Sequence, residues 1–454
     1  MSATRVLHGT IRGFAESCAD SPEVPLFGLA GSPGTRLLAG PARSEGMEQL
    51  ARHEARLGAV DFECRSPQIL RDVIRESGLL GRGGGEFPTA TKLDIAAAAS
   101  GTPLVVANAS EGEPASRKDR TLLELRPHLV LDGAELVAYA VGADQIVIYI
   151  HRGHVRATLA LEQAIAQRRG AARGAARVRV VDAPERYVAG ETSAVVSYLS
   201  GRGALPRRGS SSAAQIGVAN RPTVVNNVET LAHLALIARF GSAWFAQAGA
   251  PEAPGSTLIT LAGAVAVPGM VVEILGPVPL GRVLETVGGR DTVPRAVLFG
   301  GYAGTWITGE TAWRAPLERH RLARSGASLG CGLVAVLDDQ ACGLAETARL
   351  LDWLAGQSAG QCGPCVLGLP ALSQLFDDIV DGTANPHDLR RLRELASSVR
   401  GRGACGHPTG AVTLLESALE TFGPELKLHL RGATCEFRDT PSRFPLPSER
   451  GAPE

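Results

Sequence analysis

Between residues 66 and 200 the apolar positions switch repeatedly between two periods. "SPQILRDVIRES" puts Ile69, Leu70, Val73 and Ile74 at helical spacing, with Ser66 as N-cap, Pro67 at the first helical position and Gly78 as terminator. "PLVVANASEGEP" then reads as a buried strand over 103–107 that runs into a polar loop carrying Asn108, Glu111 and Glu113. A helix over 132–141, a strand over 145–150, a helix over 155–168, a strand over 176–182 and a helix beyond Thr192 follow. Strand and helix alternate, which predicts an α/β fold with a parallel, Rossmann-like sheet. Ligands of such sheets lie outside the carboxyl ends of the strands, where the 108–113 loop and "YVAGETSA" both fall.

The pattern changes near Ala250. "STLITLAGAVAVPGMVVEILG" is two strand-like runs joined by Val-Pro-Gly, followed by the short helix "LGRVLETVGG" and the strand "AVLFGG", a small β-grasp (ubiquitin-like) pattern. From Leu344 onward four amphipathic stretches suffice for a four-helix bundle, and the Pro- and Arg-rich tail after Cys435 is expected to be disordered. The predicted division is therefore an N-terminal extension over 1–65, an α/β domain over 66–248, a β-grasp domain over 249–330, a helical domain over 331–435 and a tail over 436–454.

Length and charge narrow the function. A chain of 454 residues exceeds what one core organises, so two or three domains are expected. Basic and acidic residues balance at 46 each, which argues against nucleic acid or an anionic membrane as partner. No apolar run approaches a spanning helix, and the N-terminus lacks a signal-peptide core, so a cytoplasmic protein without membrane insertion is expected. Cys18 and Cys64 read as plain thiols, whereas the clustering of the other cysteines toward the C-terminal half points to metal or redox chemistry.

"SGLLGRGGGEFPTATKL" packs Gly78, Gly81, Gly83, Gly84 and Gly85 between two predicted helices, a choice between a phosphate cradle and a tight connector that Lys92 tilts toward the cradle. Asn108, Glu111 and Glu113, taken alone, read more readily as a solvated acidic turn than as a site. "GQCGPCVLG" sets Cys362 and Cys365 two residues apart, with Cys405 much further on, which leaves zinc, a redox pair and an iron–sulfur cluster open.

Taken together these segments resemble a known family, the flavoprotein (NADH-binding) subunit of respiratory complex I and its relatives in NAD-linked hydrogenases and formate dehydrogenases. The resemblance runs from about Ser66 to Leu430 through "GLLGRGGGEFPTATK", "NASEGEPASRKDR", "YVAGETSA", "PTVVNNVET", the β-grasp segment and "QSAGQCGPC" with a later "CGHP". It implies an FMN site built from Gly81, Arg82, Gly83, Gly84 and Lys92, from Asn108 and Glu111, from Tyr187, Gly190 and Glu191, and from Asn226 and Asn227. Phe87 is implied as an aromatic wall and Glu113 as the catalytic acidic residue. It further implies NAD(P)H as donor and an iron–sulfur cluster (4Fe-4S or 3Fe-4S) on Cys362, Cys365 and Cys405 in the helical domain. The acceptor it implies is a small iron–sulfur protein such as a ferredoxin, or a partner redox subunit.

The chain also departs from that family. Ser110 stands for the second acidic-loop residue, Thr192 for the second of two glutamates, and Gly209 and Ser212 for a lysine and the ring that stacks on adenine; Ala359 stands for the first cluster cysteine. The expected function is FMN-dependent electron transfer. The rival reading is a scaffold subunit that keeps the fold after losing its redox centres.

Overall fold

The computed structural model describes residues 27–60, 62, 66–169, 176–208, 211–433 and 435–447; Cys18, Cys64 and Gly209 lie outside them. Four parallel strands form the first sheet, in the spatial order Arg177–Ala183, Gln145–His151, Leu104–Ala109, Thr223–Asn227. The chain runs outward from Leu104–Ala109 to one edge, then returns to the other side of that strand. This reversal opens a crevice at the carboxyl ends, and the last two residues of Thr223–Asn227 pair with Ala107 and Asn108 there. The central strand continues two residues beyond the expected 107, which makes Asn108 a strand residue and not a loop residue.

Helices Pro127–Val141 and Val228–Phe245 pack on each other and beside this sheet, burying Leu129, Val130, Leu231 and Ile237 completely. The first of them begins five residues earlier than the expected 132, with Pro127 in its first turn. Asp132, expected at its start, is instead buried inside the helix, where Arg168, Arg239 and His53 all reach its carboxylate. Three partners make a polar residue tolerable in a helix face that otherwise reads apolar.

The N-terminal extension is not separate from the body. Helix Leu50–Leu57 docks through His53, Leu37 and Leu38 are fully buried, and the backbone N–H groups of Arg36, Leu37 and Leu38 all donate to the Glu273 carboxylate. Phe27–Gly28 adds an edge strand to the second sheet.

That sheet has the order Phe27–Gly28, Met270–Ile274, Thr257–Gly263, Leu333–Val336, Ala296–Phe299, Thr305–Thr308. The two hairpins flank Leu333–Val336, which pairs parallel with Thr257–Gly263, and helix Leu280–Thr286 lies between the hairpins in sequence, which is β-grasp topology. The expected boundary at 330 excludes Leu333–Val336, the strand in the middle of the sheet. Four buried residues with no alternation left no period-2 signal ahead of the helices.

Helices Gly343–Gly356, Leu369–Val380, Pro386–Val399 and His407–Thr421 form the expected bundle, with the short helix Gly423–His429 as a fifth member. The segment expected to be a disordered tail is ordered through residue 447. Phe444 is buried between Tyr302 and Trp306, and the Tyr302 hydroxyl donates to the Pro445 carbonyl. Composition suggested disorder, but one aromatic anchor seated in an apolar socket opposes it.

Candidate functional site

A cleft of about 370 Å³ opens at the carboxyl ends of the parallel strands. Most of the residues singled out in the sequence converge on it: Gly81, Gly83, Phe87, Lys92, Asn108, Glu111, Glu113, Tyr187, Gly190, Glu191, Asn226 and Asn227 all line it. The glycine loop is pinched at its base, where the Gly81 N–H donates to the Phe87 carbonyl and the Thr89 N–H to Leu79. Helix Thr89–Ala98 begins immediately afterwards and brings Lys92 to the wall. Gly84, at φ +95°, turns the chain back against Gly330 and Cys331 and does not itself face the cleft.

Arg82 does not face the cleft either. Its backbone N–H donates to Thr230, while its guanidinium turns away to Thr257 and the Pro254 carbonyl, so this residue clamps the loop to the neighbouring sheet. Burial lowers its pKa to about 9. A loop-based reading assigns a cation beside glycines to the ligand; here a threonine hydroxyl and a backbone carbonyl claim it first.

The opposite wall is made of loops in close backbone contact. A Cβ on Gly112 would stand 2.7 Å from the Tyr187 carbonyl oxygen, and one on Gly190 would stand 2.6 Å from that of Ser110, so both must be glycine. Asn108 Nδ2 donates to the Gly190 carbonyl, tying the two loops together. Glu191 caps helix Thr192–Leu199 by accepting from the N–H groups of Ser193 and Ala194. Asn227 caps Val228–Phe245 in the same way, and so aims a positive helix end at the cleft.

Three residues of this wall escaped the sequence reading. Lys118 is buried, with its ammonium on Asp119 at 2.6 Å and on Glu229 at 2.9 Å, and Asp119 accepts from Asn227 Nδ2. Cys331 also lines the cleft. Lys118 and Asp119 stand in "SRKDR", whose pattern of adjacent opposite charges looks like an ordinary helix start.

Polar groups left over in the cleft test whether a flavin fits. Asn226 Nδ2 and Ser110 Oγ are buried in the wall without a protein partner, one amide donor and one hydroxyl. Such groups are costly unless a ligand or water satisfies them. Lys92 adds a cation whose pKa burial lowers to about 8, anchored on the Val225 carbonyl and Asn226 Oδ1. A helix end, an ammonium and unpaired amide and hydroxyl groups fit a phosphate-bearing, hydrogen-bonding heterocycle.

Electrostatics divide the two acidic residues. Burial alone would raise Glu111, but Arg120, Ser116 and Lys118 hold it below the ordinary carboxylate range. Glu113 is the reverse: burial pushes its carboxyl up to about 8 and Glu111 adds to the rise, against hydrogen bonds from the Tyr302 N–H and Tyr187. At neutral pH Glu113 is therefore an uncharged acid facing the cleft. A carboxyl whose folded pKa exceeds its unfolded value stabilises fully below the unfolded value near 4.5, and the contribution is lost as pH rises through about 8. Glu113→Gln is accordingly expected to flatten the fall in thermal stability of flavin-free protein between about pH 5 and pH 9, an effect of a few kcal/mol at most. Equal pH slopes for the two proteins would refute it.

The three cysteines of the expected cluster converge beside this cleft. Cys362 precedes a wide helical turn, Pro364–Gly368, and accepts a hydrogen bond from the Cys365 thiol. Burial, and then the charge on Cys362, push Cys365 up to about 12, and Cys405 also feels the Cys362 charge. Ala359 sits next to Ser358, which hydrogen-bonds to Cys365. Three thiols on short turns at the edge of an apolar bundle fit an iron–sulfur cluster with one iron lacking a thiolate. The nearby His407 donates from Nε2 to the Leu354 carbonyl, and its Nδ1 is buried without a partner.

A parallel sheet with a phosphate-friendly crevice at its switch point, a β-grasp domain and a cysteine-bearing bundle define a flavin and iron–sulfur electron-transfer protein. Comparison with known proteins makes this specific. Residues 74–236 match the Nuo51 FMN-binding domain, and residues 345–429 match the NADH-ubiquinone oxidoreductase-F iron-sulfur binding region. The chain is 33% identical to an NADH-quinone oxidoreductase F subunit of Rhizobium meliloti, over 82% of this chain and 91% of that one. It is 32% identical to the NADH-quinone oxidoreductase F subunit of Streptomyces coelicolor, over 85% and 88%. A solved NAD+-reducing [NiFe]-hydrogenase in its H2-reduced state superposes with a TM-score of 0.71 at 30% identity, covering 80% of this chain and 63% of the hydrogenase chain. The chain belongs to the family of NADH-quinone oxidoreductase F subunits. It is an NADH dehydrogenase-like oxidoreductase with FMN and an iron–sulfur cluster as its cofactors. Among the described residues no helix is long and apolar enough to cross a membrane.

Proposed function

We propose that this chain is the electron-entry subunit of a larger redox assembly, oxidising NAD(P)H in the cleft and passing electrons through the cysteine-bearing bundle to a small iron–sulfur protein such as a ferredoxin, or to a partner redox subunit. FMN, when bound, supplies the conversion between two-electron hydride chemistry and one-electron transfer. Lys92, Asn226 and the start of helix Val228–Phe245 would hold its polar and phosphate groups, and Gly83 would leave room for its ring. Glu113, uncharged at neutral pH, would offer a proton donor or a hydrogen bond without repelling an incoming dinucleotide.

One observation carries this reading over a scaffold role. Tyr187 lines the cleft while its ring packs 5.5 Å from that of His407, two residues from Cys405, and 5.2 Å from Trp353. The loops agree: the Tyr187 N–H donates to Gln357, and Gln361 donates to the Pro206 carbonyl. Flavin and cluster sites would thus share a wall, which gives electrons a short path from one to the other.

The donor side is thinner than in the family. Ser110 and Thr192 offer no carboxylate and Ser212 is exposed, so the lost charge partner and stacking ring should weaken dinucleotide binding by on the order of 1 to 3 kcal/mol. Stopped-flow bleaching of the bound flavin is expected with either NADH or NADPH, but only well above micromolar concentrations. Rapid reduction that saturates at micromolar NADH would mean that other residues supply the missing contacts. No bleaching by either nucleotide at any concentration would remove the proposal.

A further inference from the structure

Cys342, His429 and Cys435 form a second group of metal-binding type, separate from Cys362, Cys365 and Cys405. Their ligand atoms all lie within 4.8 Å of one another. Three different elements deliver them: Cys342 is the N-cap of helix Gly343–Gly356, His429 ends helix Gly423–His429, and Cys435 opens the C-terminal segment. We propose that these three residues bind one zinc ion in a structural site, with the fourth position left to water or to Glu425, the carboxylate beside Cys342.

The geometry points to a metal more than to packing. Cys342 Sγ is 3.7 Å from His429 Nε2 and 3.2 Å from Glu425 Oε2. Zinc–sulfur bonds of about 2.3 Å and zinc–nitrogen or zinc–oxygen bonds of about 2.0 Å, at a tetrahedral angle, place such ligand pairs about 3.5 Å apart. The observed separations bracket that value.

The surroundings are those a metal ligand needs. His429 is fully buried, and its Nδ1 faces the Val380 carbonyl at 2.7 Å. A carbonyl only accepts, so Nδ1 carries the proton and Nε2 presents its lone pair to Cys342, the tautomer that binds metal. The Ala345 N–H donates to Cys342 Sγ at 3.4 Å, and the Gly343 N–H donates to Glu425 Oε2 at 3.0 Å. Arg295 pairs with the other Glu425 oxygen. Binding would release the two thiol protons, leaving two thiolates to neutralise the dication and Arg295 to balance Glu425.

Two thiolates and an imidazole favour zinc over magnesium or calcium, and the burial of Cys342 and His429 shields the position from substrate. The role is a staple. The Cys342 N–H already donates to the Phe437 carbonyl, and the segment so tied down carries Phe444 into its socket on Tyr302, whose own N–H reaches Glu113. A zinc here would fix the C-terminal segment and, through Tyr302, the wall of the cleft.

Elemental analysis of the full chain, purified anaerobically without chelator, tests this. About one zinc per chain is expected beside the iron. Cys362→Ser should leave zinc in place, and Cys435→Ser, on the half-buried segment, should lose at least about nine-tenths of it while keeping flavin. If Cys435→Ser fails to fold, absorption spectroscopy at the zinc edge of the unaltered protein decides, with two sulfur neighbours at about 2.3 Å and lighter atoms at about 2.0 Å expected. Protein that contains no zinc and takes up none when the ion is added under reducing conditions would overturn the site, as would a Cys342–Cys435 disulfide or full retention of zinc in Cys435→Ser. None of these outcomes depends on whether NAD(P)H reduces the flavin.

Discussion

Gly83→Val is expected to yield a folded protein that retains its iron and has lost its FMN. Gly83 is exposed at the lip of the cleft, and a Cβ built there stands 3.3 Å from the Asn227 Cβ with no backbone atom as near, so only the Asn227 side chain must give by a few tenths of an ångström to admit it. Valine's two methyl groups would then occupy space over Asn227, at the helix end proposed to face the flavin. Overfilling a packed site costs about 1 to 3 kcal/mol, which weakens binding about 5- to 150-fold. Quenching of FMN fluorescence on titration into flavin-free protein measures this directly. Unchanged affinity would move the flavin away from the glycine loop and with it the roles proposed for Lys92 and Asn226.

Most of the cleft was legible because its residues sit where chain direction changes. Asn108, Asn226 and Asn227 end strands, Glu191 and Asn227 cap helices, and the glycines interrupt two helical patterns, so each leaves a break in periodicity. Arg82 read wrongly for a reason that local pattern cannot reveal: its partners, Thr257 and the Pro254 carbonyl, lie more than 170 residues away. Lys118 and Asp119 were invisible because their burial depends on Glu229 and Asn227, contributed by a distant helix start. The metal-type group on Cys342, His429 and Cys435 has the same character. Its spacing matches no compact motif, and its first and last members are almost a hundred residues apart. The β-grasp domain was recognisable in its hairpins but not in Leu333–Val336, since a strand buried on both faces carries no alternation.

The second large effect concerns the cluster cysteines, where aerobic purification is expected to give a three-iron signal in electron paramagnetic resonance and Ala359→Cys a four-iron cluster that survives in air. Cys362, Cys365 and Cys405 supply three thiolates, so one iron of a four-iron cluster must take water or a neutral donor. Among neutral donors near the cysteines is His407, whose Nδ1 is buried and unpartnered. Replacing a thiolate by a neutral ligand removes negative charge, which raises the reduction potential and loosens that iron. Ala359 is half-buried and adjoins Ser358, whose hydroxyl already reaches the Cys365 thiol, so a cysteine at 359 enters a loop that lies against the site. The expected gain is about tenfold or more in cluster half-life under air, in line with what one well-placed ligand contributes to metal retention. His407→Ala separates the remaining alternatives: faster loss of the fourth iron identifies its Nδ1 as the neutral donor, and an unchanged rate leaves water. If anaerobic protein holds no iron at its three cysteines and Ala359→Cys cannot be reconstituted, the contact of Tyr187 with His407 is a packing contact alone, and electrons must leave the flavin by another route.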